Sequence, residues 1–584
     1  MCNVAVTTKR TPHIVDNSGW KELPVGIEDF ERVIRDFVYV DKTLVIRDLI
    51  RRGGTTLFCR PRRFGKSLFI RMLQCFFEVP VPGFVHDRHH LFGNLAIAET
   101  GERFCRHCCA HPVIRTNLSG TDGRTWEEAR ERLGTQVASE YERHRYVLES
   151  NIMSDVAKAK YRRLMAKEGS YGDLYESLSW LSDVLRDFHG EQTVVLIDEY
   201  DNPIVRGHVA GWREDVTSFM RSWLSAALKD TDSLFLAALT GVQRVSKESI
   251  FSDLNNMVVD TPLNHQYAES FGFTEAEAQA LATHMDMAGH AEEMRSWYDG
   301  YSFGGTRVYN PWSTLNFLRE RLAQPYWTNT EGNAVLTELI ARADEGCERD
   351  LRVLCQAGTV THAIDLNTVF DDLATNPDAV WSQLYLAGYL TTDDCDVPND
   401  AKVKRELRIP NGEVRRLFER ELSVRSSRVA GSAGRLRDLH AAMLTADPDR
   451  LDAVLGSIVL DSASFHDLTD EGRCHMLLLA MLYDMDGYRM PESNRESGRG
   501  RSDIVLRPNA AHASTLPAIV CEVKRPRHRN GCDLTASELS ANARDVALAQ
   551  ALTHDYGRDV ESAGRLVWGV SFSGKLVRTA CRRV

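Results

Sequence analysis

The stretch Arg60-Pro61-Arg62-Arg63-Phe64-Gly65-Lys66-Ser67 constrains this chain more than any other. Gly-Lys-Ser is the order that a nucleoside-triphosphate site requires. Gly65 lets the backbone approach a phosphate, Lys66 sets a point charge on the outer phosphates, and Ser67 offers its hydroxyl to magnesium. Leu57-Phe58-Cys59 reads as a buried strand, and Leu68 to Phe77 carries helical spacing, so the phosphate is expected at a helix N-terminus. Arg60 stands where the usual loop has its first glycine. Arg60, Arg62 and Arg63 are candidates to contact phosphate, with at least one of them facing solvent, and Phe64 belongs to the same cradle.

A second motif follows. Val194-Val195-Leu196-Ile197 is apolar throughout, as in a strand buried on both faces, and Asp198-Glu199 closes it. Asp198 is the candidate to hold magnesium and Glu199 to orient or deprotonate the attacking water; phosphoryl transfer asks mainly for such positioning and charge neutralisation. Leu234 to Thr240 is a third strand, with Thr240 placed to sense the outer phosphate and Arg244 to stabilise charge or meet a partner. An edge strand entering an acidic turn, and a solvated Arg, are the bland alternatives.

Strands over Thr55–Cys59, Val113–Leu118, Thr193–Ile197 and Leu234–Thr240 alternate with helices over Trp126–His144, Leu174–Phe188 and Trp212–Lys229. Such alternation predicts an open, mostly parallel α/β sheet with ligands beyond the carboxyl ends of its strands. From about Ser270 the strand signals thin, and helices are expected over Glu275–Met287, Ala291–Trp297, Thr314–Leu322, Val380–Leu390 and Asn411–Ser423, with a short strand over Leu407–Pro410. A linker is expected near Ser426–Gly434.

At 584 residues the chain has room for about three domains, and 43% hydrophobic with 26% charged residues fits a globular protein. No apolar run is long enough for a bilayer, and Met1–Arg10 lacks the apolar stretch of a secretory signal. A net charge of −11 excludes a uniformly basic surface, so nucleic-acid affinity has to be local. Thirteen scattered cysteines suit a reducing cytoplasm. Cys105-Arg106-His107-Cys108-Cys109 contains one C-x-x-C without a second pair at zinc spacing, which reads as inert thiols rather than a metal site.

Near the end, Gly500 to Leu506 and Ala518 to Lys524 read as strands. Asp503 opens the first; Glu522 and Lys524, two apart, share a face of the second. Asp503 and Glu522 are candidates to share a divalent metal through oxygen, with Lys524 activating water or stabilising charge on phosphate. Ordinary surface charge on two amphipathic strands is the alternative. Arg499, Arg501, Arg507, Arg525, Arg527 and Arg529 crowd these strands, as polyanion binding requires. Glu496 and Gln550 are weaker candidates for the same site.

These strings, with Tyr39-Val40-Asp41-Lys42-Thr43, Ile197-Asp198-Glu199-Tyr200-Asp201, Lys247-Glu248-Ser249-Ile250-Phe251 and Trp297-Tyr298-Asp299-Gly300-Tyr301, resemble the AAA-ATPase-like proteins that carry a C-terminal PD-(D/E)XK nuclease-superfamily domain. The resemblance runs from about Leu23 to Lys575, and in that family Arg is usual at the position of Arg60. It implies a loose tail over 1–20, a P-loop domain over 21–265, a helical lid or winged-helix-like region over 266–430 and a restriction-endonuclease-like α/β domain over 431–584. It implies ATP and Mg2+ as cofactors, with Lys66, Ser67 and Asp198 as nucleotide and magnesium residues and Glu199 as hydrolytic helper. It further implies Asp503, Glu522 and Lys524 as the nuclease triad, with nucleic acid, foremost DNA, as partner and self-association left open. An ATPase that controls a nuclease is the expected function. An ATP-dependent switch or scaffold whose nuclease fold only binds is the alternative.

Overall fold

The computed structural model describes residues 12–229, 231–243, 257–327, 336, 345–355, 358–366, 368, 376, 378–395, 403–429, 431–462, 471–482, 485–489, 491–497, 500–509, 511–527, 533–558 and 560–584. The chain divides into two units: Met1–Glu331 with Thr359–Val414, and Gly332–Gly358 with Arg415–Val584. Most of the 266–430 segment therefore falls inside the first unit.

The first unit is built on β1 (Gly54–Cys59), β2 (Val113–Asn117), β3 (Thr193–Asp198), β4 (Leu234–Gly241) and β5 (Met257–Asp260), in the spatial order β2-β3-β4-β1-β5. Every pairing is parallel. Burial on both faces explains why the strands read as unbroken apolar runs. Leu57, Ile114, Val195, Ile197 and Leu239 point into one core, and Phe58, Val113, Val194, Leu196 and Leu236 into the other, as a period of two demands. The helices Trp126–Arg143, Tyr171–His189 and Arg213–Leu228 line the first core. Helix α1 (Lys66–Phe77) lines the second through Ile70, Leu73 and Phe76. The four expected strands are present. The fifth, β5, has only four residues and shows no alternation that would mark it in the sequence.

Arg60 has no exposed surface, so its charge has to be met inside the protein. Its Nη2 donates to Asp260 Oδ2 at 2.5 Å, and its Nη1 donates to the carbonyls of Cys59 at 2.8 Å and Asp260 at 3.2 Å. The guanidinium lies over the rings of Phe271 and Phe303, at 5.2 and 5.0 Å. It joins the ends of β1 and β5 and does not face a phosphate, contrary to the expectation that it is available to one.

Helices Glu275–His284, Ala291–Tyr298 and Pro311–Glu320 follow, as the periodicity predicts, but a small antiparallel sheet lies among them. Tyr301–Phe303 turns back into Thr306–Tyr309, and Phe273–Thr274 pairs on the other side. The turn is Gly304-Gly305, both at positive φ (50° and 80°), which suits a two-residue hairpin. Strands of two to four residues are too short for a pattern to register. Lys404–Leu407, slightly earlier than expected, pairs with Val360–Ala363.

The second unit centres on a sheet of β6 (Glu492–Ser497), β7 (Gly500–Leu506), β8 (Ala518–Lys524), β9 (Arg565–Ser573) and β10 (Leu576–Arg583), in that spatial order. Only β8 and β9 run parallel. One face packs Ile504, Ile519, Cys521, Val523 and Trp568 against helices Ala433–Thr445, Pro448–Ser462 and Glu471–Met481. The other packs Val505, Val520 and Val567 against Leu548, Ala551 and Tyr556. Gly569 faces this second helical segment. A Cβ there would lie 2.2 Å from the carbonyl oxygen of Ala543 and 2.4 Å from the nitrogen of Leu548, so the helix backbone rests directly on the strand. Over Ala543–Leu548 that helix takes a π turn.

Removing one member of the Arg60–Asp260 pair strands a charge in the core. Asp260→Leu is expected to cost about 3 kcal/mol, and combining it with Arg60→Met to recover most of the loss. Thermal melts of the two single variants and the double variant check this; strictly additive losses would contradict it.

Candidate functional site

The carboxyl ends of β1, β3 and β4 bring the first set of candidates together. Gly65 takes a left-handed φ of 82° and caps α1 with no side-chain hydrogen bond, so first-turn N–H groups remain for an anion. Space beside Gly65 is open. Lys66 is buried and folds back, its Nζ donating to the carbonyls of Arg60 at 3.0 Å and Pro61 at 2.9 Å. Burial lowers its pKa, while the carboxylates of Asp201, Asp198 and Glu199 pull it up. Lys66 therefore lies within the field of three carboxylates, while its own hydrogen bonds go to the loop carbonyls.

Asp198 is 2% exposed; its Oδ1 accepts from the Thr240 hydroxyl at 2.5 Å, and Asn117 Nδ2 lies 3.5 Å from its Oδ2. β4 lies between β1 and β3, so Thr240 reaches Asp198 from the neighbouring strand. Glu199 turns the chain at a φ of 54°, a strained conformation for a residue with a side chain. Burial, then the charge of Asp198, holds its carboxyl above the ordinary range. Asp201 is buried and accepts from the backbone N–H groups of Val242 at 2.8 Å and Gln243 at 2.9 Å. Burial raises its pKa despite those two bonds. No role is assigned to Asp201 from the sequence, although it closes the Ile197-Asp198-Glu199-Tyr200-Asp201 string.

The loop side chains divide. Phe64 is 1% exposed and packs on Tyr301 and Phe303 at ring distances of 4.9 and 5.1 Å, so only its backbone is left for a ligand. Arg62 is exposed, and Ser67 partly so. Arg63, at a φ of 67°, lays its guanidinium 4.2 Å from the ring of Trp312 rather than over the loop. Arg244 and the Lys247–Phe251 string lie outside the described residues. For magnesium and a nucleotide, an uncapped helix N-terminus, a buried lysine and a buried aspartate are a fitting donor set; Ser67 and Asp198 are the residues that would hold the ion.

In the second unit, Ile504 pairs with Cys521, and one step further the register sets Asp503 opposite Glu522. Asp503 Oδ2 accepts from the N–H of Val523 at 2.7 Å. Glu522 is 1% exposed, and its Oε1 accepts from Lys524 Nζ at 2.9 Å and from Gln550 Nε2. Its Oε2 is buried with no hydrogen-bond partner among the described residues. Burial, then the charge of Asp503, pushes the Glu522 carboxyl up to about 7. An orphaned carboxylate oxygen beside a second carboxylate fits a divalent cation held by Asp503 and Glu522.

Gln550 thus faces the site, because Gly569 lets its helix approach. Glu471 was not foreseen: its Oε1 lies 3.3 Å from Lys524 Nζ, and no local sequence signal marks it. His475 Nε2 meets the Asp503 carbonyl at 3.1 Å. The expected basic cluster is only partly described. Arg499 and Arg529, and the side chains of Arg501 and Glu496, lie outside the described residues. Arg507 pairs with Glu492 at 3.0 Å.

Residues 24–251 match the model of the AAA-ATPase-like family, whose description is "Predicted AAA-ATPase". An AAA-ATPase-like domain therefore spans this part of the chain. An uncharacterized protein in the vnfD 5′ region of Azotobacter chroococcum mcd 1 is 29% identical over 430 residues, 72% of this chain and 74% of that protein. Among solved structures, a signal transduction ATPase with numerous domains and a tetratricopeptide repeat sensor, from Pyrococcus horikoshii, is 12% identical with a TM-score of 0.24. That alignment covers 76% of this chain and about half (54%) of the other, and likeness at this level carries no structural argument. Among the described residues no helix is long and apolar enough to cross a membrane.

The raised Glu522 carboxyl has a consequence for stability. Its folded pKa of about 7 lies above the ordinary 4.5, so its contribution is full below about 4.5 and is lost as pH rises through about 7. In chelator, Glu522→Gln is expected to gain on the parent protein by about 1–3 kcal/mol between pH 5 and 8. Paired thermal melts across that range check this, and a pH-independent gap would contradict it.

Proposed function

We propose that the chain binds and hydrolyses ATP in its first unit and that the nucleotide state controls a metal-dependent, nuclease-like site in its second, acting on nucleic acid. The observation that carries the first part is the buried Lys66 at the start of α1, whose N-terminus has no side-chain cap, with Asp198 held by Thr240 at the carboxyl ends of the neighbouring strands. Magnesium, when bound, neutralises the outer phosphates. The helix N-terminus and Lys66 orient them, and Thr240 holds Asp198 in place. Glu199, its basicity raised by burial, takes a proton from water as the water oxygen attacks the outer phosphorus and the bond to the departing diphosphate breaks.

Support for the nuclease reading comes from the arrangement around β8: two carboxylates and an ammonium on one face, flanked by Gln550. The order helix, β6, β7, β8, helix, then β9 parallel to β8 suits a restriction-endonuclease-like core. A divalent cation, when bound, supplies Lewis acidity. Lys524 stabilises charge developing on the phosphate, and Glu522 orients Lys524 through their 2.9 Å bond.

Lys66→Ala is expected to lower ATP turnover at least a hundredfold, and Asp503→Ala to abolish metal-dependent cleavage while leaving ATP turnover intact. Labelled DNA and RNA incubated with each variant, with and without ATP and magnesium, check this. Cleavage indifferent to ATP and to Lys66→Ala would overturn the control. Nucleic-acid binding without cleavage, unchanged in Asp503→Ala, would leave a binding switch in its place.

A further inference from the structure

The C-x-x-C of Cys105 and Cys108 does not form a site: Cys105 Sγ turns to the carbonyls of Ile97 at 3.5 Å and Ala98 at 3.6 Å. A different set does converge. His89, Cys108 and Cys109 place one ligand atom each within 4.8 Å of one another. We propose that these three residues form a binding site for a zinc-class cation, with Asp87 as the positioning partner of His89.

Geometry carries the proposal. Two thiolates about 2.3 Å from a tetrahedral ion sit about 3.8 Å apart. The sulfurs of Cys108 and Cys109 are 4.0 Å apart. Adjacent residues in extended backbone send their side chains to opposite faces. Here Cys109 adopts a φ of 53°, which an L-residue with a side chain rarely takes, and its thiol lies beside that of Cys108. The N–H of Cys109 is bonded to the carbonyl of Phe76 at 2.6 Å, so the end of α1 holds the strained residue in place.

His89 arrives from a separate segment. Its Nδ1 meets Asp87 Oδ1 at 2.6 Å, and its N–H donates to the same oxygen at 2.9 Å. A carboxylate on one ring nitrogen fixes the tautomer that leaves the other nitrogen as a ligand. Two sulfurs and an imidazole suit zinc and disfavour magnesium, so this site differs in kind from the two oxygen-rich ones. On binding, the two thiol protons pass to solvent. His89 is the exposed member of the three, so solvent has access to the site from its side. The ion would clip the segment around His89 to the turn before β2, in the long connection between α1 and β2.

The full chain, stripped with chelator and titrated with Co2+, is expected to develop a thiolate-to-cobalt charge-transfer band that saturates at one equivalent; magnesium-type oxygen sites give no such band. Cys108→Ser combined with Cys109→Ser should abolish it, Asp87→Asn should weaken binding about tenfold, and Cys105→Ser should leave it unchanged. Alkylation of the parent chain needs no variant to fold. Stoichiometric zinc should slow modification of Cys108 at least tenfold and leave Cys105 unaffected. Absence of the band in the parent chain, or alkylation of Cys108 at equal rates with and without zinc, would overturn the proposal.

Discussion

A charge taken out of water has to be met by something, and much of this structure is an answer to that demand. Arg60 is met by Asp260 and by two aromatic rings. Asp201 is met by two backbone N–H groups, Asp198 by a hydroxyl from the next strand, and Glu522 by an ammonium and an amide. Where an opposite charge meets the group directly, as Asp260 meets Arg60, it is architectural. Where the answer falls short, as at Glu522 Oε2, chemistry has room to act.

The two units solve the same problem with different tools. In the first, parallel strands end together, and the helix that follows β1 presents its N-terminus where the carboxylates of β3 gather. In the second, the acid pair sits across two antiparallel strands, and a helix brought in by the missing side chain of Gly569 adds the amide. Both concentrate negative side chains around one lysine. That arrangement is unfavourable alone and becomes favourable when a cation and a phosphate share it.

What could be read in advance follows from distance along the chain. Lys66 and Ser67 stand inside one loop, and Glu522 and Lys524 two apart on one strand, so spacing and periodicity speak for them. Strands β1 to β4 announce themselves because both of their faces are apolar. The role of Arg60 was hidden because its partner lies 200 residues away, and nothing local distinguishes a core arginine from a phosphate ligand. Glu471 and the meeting of His89 with Cys108 and Cys109 were hidden for the same reason. The short strands around Gly304-Gly305 escaped because they are held by turn geometry and neighbours rather than by alternation.

Arg63 belongs to the phosphate loop, yet its guanidinium rests on Trp312, at the start of helix Pro311–Glu320. A guanidinium stacks by its face and donates from its edge, as Arg60 does with Phe271, Phe303 and Asp260, so Arg63 can keep its seat on the indole and still offer N–H groups to an anion. Any displacement of that helix would carry the seat of the arginine with it. The loop and the helix of the first unit are thus tied through a single side chain.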